Sequence, residues 1–333
     1  MDLDAHEMLA KIGAVSPLEK FMSEVEIAVL IPCFDEALTI ERVVEGFRAV
    51  LPKAKIFVYD NASTDGTAIM AKRAGAVVRN EPWPGKGNVV RRMFSDIEAD
   101  IYVMVDGDAT YDPSAAPRMV KLLLSERLDM VVAVRQNVFV EAHRAGHAVA
   151  NRFFNGIYRW LFGPMFSDIF SGYRAFSRRF VKSFPAISSG FEIETEISVH
   201  ASQIRMPVME IESEYGARVE GSVSKLRSLS DAIKISKTIV LLLKEIKPAQ
   251  FFGTIAVILG TVSLVLGYPI LGEYLRTGLV PRFPTAILAT GLMVLAAISL
   301  GSGMVLDSVA RSRWEIKRLH YLQLPQLLPK SRT

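Results

Sequence analysis

The chain of 333 residues holds a single cysteine, Cys33, which excludes an internal disulfide and any multi-cysteine metal site. A formal net charge of +4 is too small to argue for nucleic acid as a partner. The N-terminal stretch MDLDAHEMLAKIG is acidic and has no apolar signal core. Internal repeats and low-complexity linkers are also lacking. The most informative absence is local: no charged residue lies between Phe251 and Leu271, or between Pro284 and Leu306. Hydrophobic residues make up 50% of the chain, the upper edge for a soluble protein, and the excess sits in those two stretches. Each is long enough to cross about 30 Å of hydrocarbon as a helix.

Basic residues set the expected orientation. Lys244 and Lys247 precede the first stretch, and Arg311, Arg313, Lys317 and Arg318 follow the second, whereas the connecting loop carries Arg276 and Arg282. Both ends are therefore expected on the cytoplasmic side of an inner, multi-pass membrane location, with any catalytic portion in the cytoplasm. The basic residues beside the spans suit anionic lipid headgroups.

From Glu26 onward the chain alternates in period. Ile27 to Pro32, Lys55 to Asp60, Ala76 to Asn80, Ile101 to Asp106 and Met130 to Arg135 read as short buried strands separated by helical segments. A repeated βα pattern predicts an α/β, Rossmann-like, mostly parallel sheet flanked by helices. Later segments read as an amphipathic helix (Ala145 to Gly163), a loop leading into a strand (Asp168 to Arg179) and a further helix (Phe191 to Ile204). Leu226 to Lys247 reads as an interfacial amphipathic segment. The expected organisation is an N-terminal extension (1–25), a cytoplasmic domain (26–225), juxtamembrane helices (226–248), a two-helix membrane hairpin (249–310) and a C-terminal tail (311–333).

In parallel sheets ligands bind beyond the C-terminal strand ends, and acids cluster there: Asp35 and Glu36, then Asp60 and Asn61, then Asp106 and Asp108. Two carboxylates flanking Gly107 can face one hard divalent cation that shares its coordination with substrate phosphates. Asp65 with Gly66 also fits a turn before a helix, while Ser63 and Asp112 fit helix caps. The glutamates Glu192, Glu194 and Glu196 read as a solvated helix face. His143 and His147 have the spacing of a zinc pair, but no further ligand accompanies them.

The motifs IPCFDEALTI, VYDNASTDGTA, PGKGNVV and VDGDATYD, in this order, resemble the family 2 glycosyltransferases with a GT-A nucleotide-sugar-binding fold. The resemblance covers roughly Glu26 to Lys247. It implies that Asp106, Gly107 and Asp108 form an Asp-x-Asp motif holding Mg²⁺ or Mn²⁺ against a nucleotide diphosphate. It implies that Asp60 contacts the base, that Pro32, Phe34, Asp35, Glu36, Asn61, Ser63 and Asp65 lie around base and ribose, and that Lys86 and Gly87 approach the phosphates. The PGKGN stretch lacks the glycine spacing and the following Ser/Thr of a Walker A loop.

The second half, with DIFSGYRAFSR, GFEIETEI and YGARVEGSVSKL ahead of the two apolar stretches, resembles the polyprenyl-phosphate glycosyltransferases related to dolichyl-phosphate mannose synthase and to bacterial enzymes charging undecaprenyl phosphate. The Gln-x-x-Arg-Trp signature of processive polysaccharide synthases is absent. The resemblance implies inverting transfer of a UDP- or GDP-linked sugar to a polyprenyl phosphate at the membrane bilayer. Cationic groups suit the acceptor phosphate, and resemblance and charge together point to Arg135, Arg152, Ser171, Arg174, Arg218 and Lys225. Asp106, Asp108, Arg135 and Arg174 are the expected catalytic set. Several relatives carry Gln two residues past the motif, where this chain has Thr110. The resemblance admits a homo-oligomer such as a tetramer. Two alternatives stay open: transfer to a diacylglycerol or ceramide hydroxyl, with Asp168 or a helix glutamate as general base, and a non-catalytic nucleotide-sugar-binding scaffold.

Overall fold

The computed structural model describes residues 24–135, 156, 163, 165–190, 192–216, 240–241 and 243–327. Two compact units emerge, Met1–Arg227 with Leu319–Thr333, and Ser228–Arg318.

In the first unit the β-branched runs become strands β1 (Ile27–Cys33), β2 (Lys55–Asp60), β3 (Val77–Asn80), β4 (Ile101–Met104), β5 (Met130–Arg135), β6 (Arg174–Ser177) and β7 (Val208–Ser213). They form one seven-stranded sheet in the order β3-β2-β1-β4-β6-β5-β7. Pairing is parallel except where β6 lies antiparallel between β4 and β5, so the sheet is mixed. The expected parallel half is β3-β2-β1-β4, each strand returned by a helix: α1 (Ile40–Val50), α2 (Thr67–Arg73) and α3 (Lys86–Asp96). Three more helices follow, α4 (Ala115–Ser125), α5 (Arg178–Ser183) and α6 (Ile193–Gln203).

Alternate residues of the strands point to opposite faces. Val29, Ile31, Val103 and Val131 pack with Val44 and Phe47 of α1 and with Met119 and Val120 of α4. On the other face an aromatic cluster forms, in which Phe94 of α3 meets Tyr102 and Phe176 edge-on and Phe180 of α5 stacks on Phe176. Helices thus cover both faces, and the loops at the C-terminal strand ends remain for function.

The fourth strand ends at Met104, two residues before the sequence pattern suggests. Val105 still donates to the carbonyl of Leu30 (3.1 Å), but Asp106 and Gly107 leave the ladder. The chain turns here because Ala109 adopts a positive φ of 59°.

The C-terminal residues of this unit pack back on the α/β domain at the start of β5. Asp129, fully buried, receives Arg179 through two bonds (3.0 and 2.7 Å), Ser177 Oγ (2.7 Å) and the hydroxyl of Tyr321 (2.6 Å). The guanidinium of Arg179 lies 4.3 Å from the Tyr321 ring centroid, and Gln326 donates to the carbonyl of Arg127 (2.9 Å). Tyr321→Phe should therefore lower stability by about 1–2 kcal/mol, because it removes a bond to a buried charged acceptor. An unchanged thermal midpoint in detergent would show that the tail contributes nothing to the domain.

The second unit contains α7 (Pro248–Thr277) and α8, which begins at Phe283 and runs on to Gln323 in the tail. Both are long and apolar enough to cross a membrane, and only 17% and 11% of their most apolar windows are buried, unlike the core helices of a soluble domain. Ser263 Oγ donates to the carbonyl of Ala289 (2.7 Å) and Ser299 Oγ to that of Phe252 (3.0 Å), so small polar residues join the two helices.

Candidate active site

Three loops meet above β1, β2 and β4, and the hydrogen bonds among them explain much of the motif chemistry. After β1, the amide of Asp35 donates to Ser63 Oγ (2.9 Å), that of Glu36 to Thr67 Oγ1 (2.8 Å) and that of Ala37 to Asp65 Oδ2 (2.9 Å). In return the amide of Thr64 donates to Asp35 Oδ1 (2.8 Å). Burial pushes the Asp65 carboxyl up, but bonds from Thr67 and Ala37 outweigh it and hold the group below its ordinary value. Asp35, Ser63 and Asp65 thus spend these polar atoms on tying two loops together. These bonds set the shape of the loops at which the nucleotide contacts are expected.

Asn61 does similar work toward β3. Its Nδ2 donates to the carbonyls of Glu81 (2.9 Å) and Trp83 (2.7 Å), and its Oδ1 accepts from the amide of Gly85 (2.7 Å). The loop before Lys86 is thereby fixed. Among the remaining expected nucleotide contacts, Pro32 lies near the end of β1, Phe34 is 44% exposed at the rim, and Asp60 ends β2 largely buried. The glycine at position 87 is dictated by the chain: a Cβ there would collide with the carbonyl of Ser188. Its amide donates to Ser189 O (3.0 Å), so packing rather than access to a phosphate requires the glycine.

The Asp-Gly-Asp loop sits at the centre. Thr39 Oγ1 donates to the carbonyl of Gly107 (2.7 Å), and a Cβ on Gly107 would stand 2.7 Å from Cys33 Sγ. Cys33 is therefore a buried packing thiol that requires glycine opposite it. Asp108 Oδ1 accepts from the amide (3.2 Å) and hydroxyl (2.6 Å) of Thr110, so Thr110 orients this carboxylate. Gly172 closes the other side, where a Cβ would strike the Asp106 carboxylate. A cleft of about 580 Å³ opens beside the loop, lined among others by Asp106, Thr110, Asp112, Glu214 and Arg42.

Lys86 begins α3 and lies between two carboxylates, Asp106 and Glu194, in ion-pair contact with both. Its side chain is 9% exposed. Burial acts to lower the ammonium's pKa, but Asp106 and Glu194 outweigh burial and hold it above the usual lysine range. Burial, opposed by Lys86 and reinforced by Asp106, pushes the Glu194 carboxyl up.

Glu194 was not separable from its neighbours in sequence, and the expectation of a solvated glutamate face fails for it. It is 4% exposed. Its neighbours hold the 187–190 loop instead: Glu196 accepts from the amides of Ile187 (3.0 Å) and Ser188 (2.7 Å), and Glu192 from that of Gly190 (3.1 Å).

Arg135, at the end of β5, forms a bidentate pair with Asp168 (2.7 and 2.8 Å) and lies 5.6 Å from the Tyr215 ring centroid. Burial acts to raise Asp168, but Arg135 outweighs it and holds the carboxyl below its ordinary value. A depressed folded pKa gives stability that is present above the unfolded value and lost as pH falls through the folded one. Thermal stability should thus show an acid-limb loss at pH below the ordinary 3.8, and Asp168→Asn should remove that part of the titration. An acid limb identical in both proteins would contradict the pairing.

Two expected acceptor contacts are corrected. Arg174 is fully buried, donating to Ser171 O (2.8 Å), Ile169 O (2.8 Å) and Ser198 Oγ (2.9 Å). Ser171, equally buried, donates to Ala133 O (2.6 Å). Both are occupied in holding the SGYR turn, so neither reaches an acceptor phosphate. Arg152, Arg218 and Lys225, with the His143 and His147 pair, lie outside the described residues. Among the described residues no cluster of three or more His, Cys, Asp or Glu forms a metal cage. A divalent cation at Asp106 and Asp108 would complete its coordination from a ligand. The donor set fits such an ion, since both groups are hard carboxylates and the Lys86 ammonium already stands against Asp106.

Residues 28–184 match the model of the glycosyl transferase family 2. Glycosyltransferase AglJ of Haloferax volcanii is 33% identical over 69% of this chain and 76% of its own length. Protein RfbJ of Shigella flexneri is 55% identical over 36% of this chain and 95% of its own. A structure of glucosyl-3-phosphoglycerate synthase from Mycobacterium tuberculosis, in complex with Mn²⁺, UDP-glucose and phosphoglyceric acid, overlays with a TM-score of 0.55. It is 24% identical, with 68% of this chain and 82% of that one covered, a likeness of fold. Mixed sheet, strand-end acids and relatives agree: the chain is a glycosyltransferase of family 2, with the GT-A fold.

Proposed function

We propose that the protein is a membrane-anchored inverting glycosyltransferase that moves a sugar from a UDP- or GDP-sugar to a polyprenyl phosphate at the cytoplasmic membrane face. The observation that carries this reading is the coexistence in one chain of a family 2 acidic array and two largely uncovered apolar helices, uncharged from Phe251 to Leu271 and from Pro284 to Leu306. Asp60 would face the base, while Asp106 and Asp108 would hold Mg²⁺ or Mn²⁺. That ion would neutralise the departing diphosphate as the glycosidic bond breaks. Lys86, in ion-pair contact with Asp106, would add a second positive charge beside the same oxygens.

A phosphate monoester with a second pKa near 6 is largely dianionic at neutral pH and attacks without a strong base. A lipid hydroxyl, by contrast, needs one. Asp168 serves that alternative poorly, being bidentately paired and held below its ordinary pKa. Arg135 is better suited to position a phosphate, with Asp168 fixing its plane; Arg152, Arg218 and Lys225 remain further candidates for it. The phosphoglyceric acid bound in the mycobacterial synthase gives the fold a phosphorylated ligand by precedent.

The test is an acceptor panel: purified full-length protein in detergent, labelled UDP- and GDP-sugars, and either a short polyprenyl phosphate, a diacylglycerol or a ceramide. Transfer to the polyprenyl phosphate alone is expected. Transfer to a hydroxyl lipid instead would overturn the acceptor assignment, and donor binding without transfer to any lipid would favour a scaffold.

A further inference from the structure

The ion pairs of Lys86 pose a problem for metal loading. Its ammonium occupies Asp106, one of the two carboxylates to which the cation is assigned. For Asp106 to offer the cation both of its oxygens, Lys86 has to leave Oδ1 while staying near the diphosphate. Glu194 is placed to allow this. It touches the same ammonium through Oε1, and its Oε2 is buried with no hydrogen-bond partner among the described residues. A buried carboxylate oxygen without a donor is a costly arrangement that asks for an occupant.

From this geometry we infer that Glu194 is a positioning residue that controls divalent-cation loading by competing with Asp106 for Lys86. An ammonium has three N–H groups. Without metal, one is directed to Asp106 and one to Glu194 Oε1. When a cation binds, the N–H released by Asp106 turns to the unfilled Glu194 Oε2, and Lys86 stays charged and aimed at the leaving group. The fold keeps Glu194 in position for the exchange. Ser198 Oγ, bonded to Arg174, donates to the carbonyl of Glu194 (3.0 Å). Glu196 and Glu192 secure the loop before α6.

The inference rests on the assignment of the cation to Asp106 and Asp108, and the experiment separates the two. Mn²⁺ binding is measured by the electron paramagnetic resonance signal of the free ion, with and without UDP or GDP, on full-length protein in detergent. With Glu194→Gln, Lys86 has Asp106 as its sole carboxylate, so Mn²⁺ affinity should fall about tenfold. In a Lys86→Met background the same substitution should have almost no effect, because the competitor is gone. An equal loss in both backgrounds would mean that Glu194 acts through its own field on the ion, and the inference fails. If wild type binds no Mn²⁺ under any condition, the cation assignment itself fails. Should Lys86→Met not fold, a structure of the wild type with Mn²⁺ and nucleoside diphosphate decides: Lys86 on both Glu194 oxygens supports the exchange, and Lys86 still on Asp106 overturns it.

Discussion

Asp108→Asn should reduce sugar transfer by at least about a hundredfold while leaving the thermal midpoint nearly unchanged. The side chain keeps its size, and Thr110 still has an oxygen to bond. What is lost is one of the two negative charges that face the proposed cation. Removing one well-placed electrostatic group from an acyl-transfer site costs about 10²–10³ in kcat, and the same order applies where a diphosphate leaves. The loss should appear in kcat as much as in donor KM, since the charge it opposes grows as the bond breaks. Added Mn²⁺ should not restore the rate fully. A variant that retains wild-type turnover at saturating donor would show that Asp108 holds the loop and no ion.

Arg174→Ala should have the opposite signature. The guanidinium is fully buried and supports two backbone carbonyls and Ser198. Its removal leaves those acceptors unpaired and opens a void, a loss of about 3–5 kcal/mol by analogy with broken buried ionic contacts. Little folded protein should be recovered, and whatever folds should melt early. An acceptor-binding arginine would behave otherwise: normal stability, with acceptor KM raised. Recovery of well-folded Arg174→Ala protein with only that kinetic defect would restore the role that its place in the SGYR motif suggests.

The contrast between these two residues marks how far the sequence could be read. Short β-branched apolar runs mark every strand of the parallel half, and the acids at their ends point to one shared site. The antiparallel insertion of β6 was hidden, because strand direction depends on the path of the intervening chain and not on the residues of the strand itself. Within the site, Asp, Ser and Asn motifs could be recognised as a group, but loop-tying and ligand-facing atoms use the same side chains. The loop-tying roles of Asp65 and Asn61, and the bond Asp60 accepts from the amide of Ser63, show only when the hydrogen-bond partners are known. Arginine and glutamate raised the opposite difficulty. Both are usually exposed, so sequence reasoning placed Arg174 at a phosphate and Glu194 in solvent, whereas each is buried against a partner distant in the chain.

The central claim, that a lipid phosphate is the nucleophile, is tested most directly by ³¹P magnetic resonance. Full-length protein in detergent is incubated with Mg²⁺, a short polyprenyl phosphate and the donor it uses, with Asp108→Asn as control. Conversion of the phosphate monoester resonance to a phosphodiester, matched by release of nucleoside diphosphate and absent in the variant, is the expected result. Release of nucleoside diphosphate with the lipid monoester resonance intact would contradict the account.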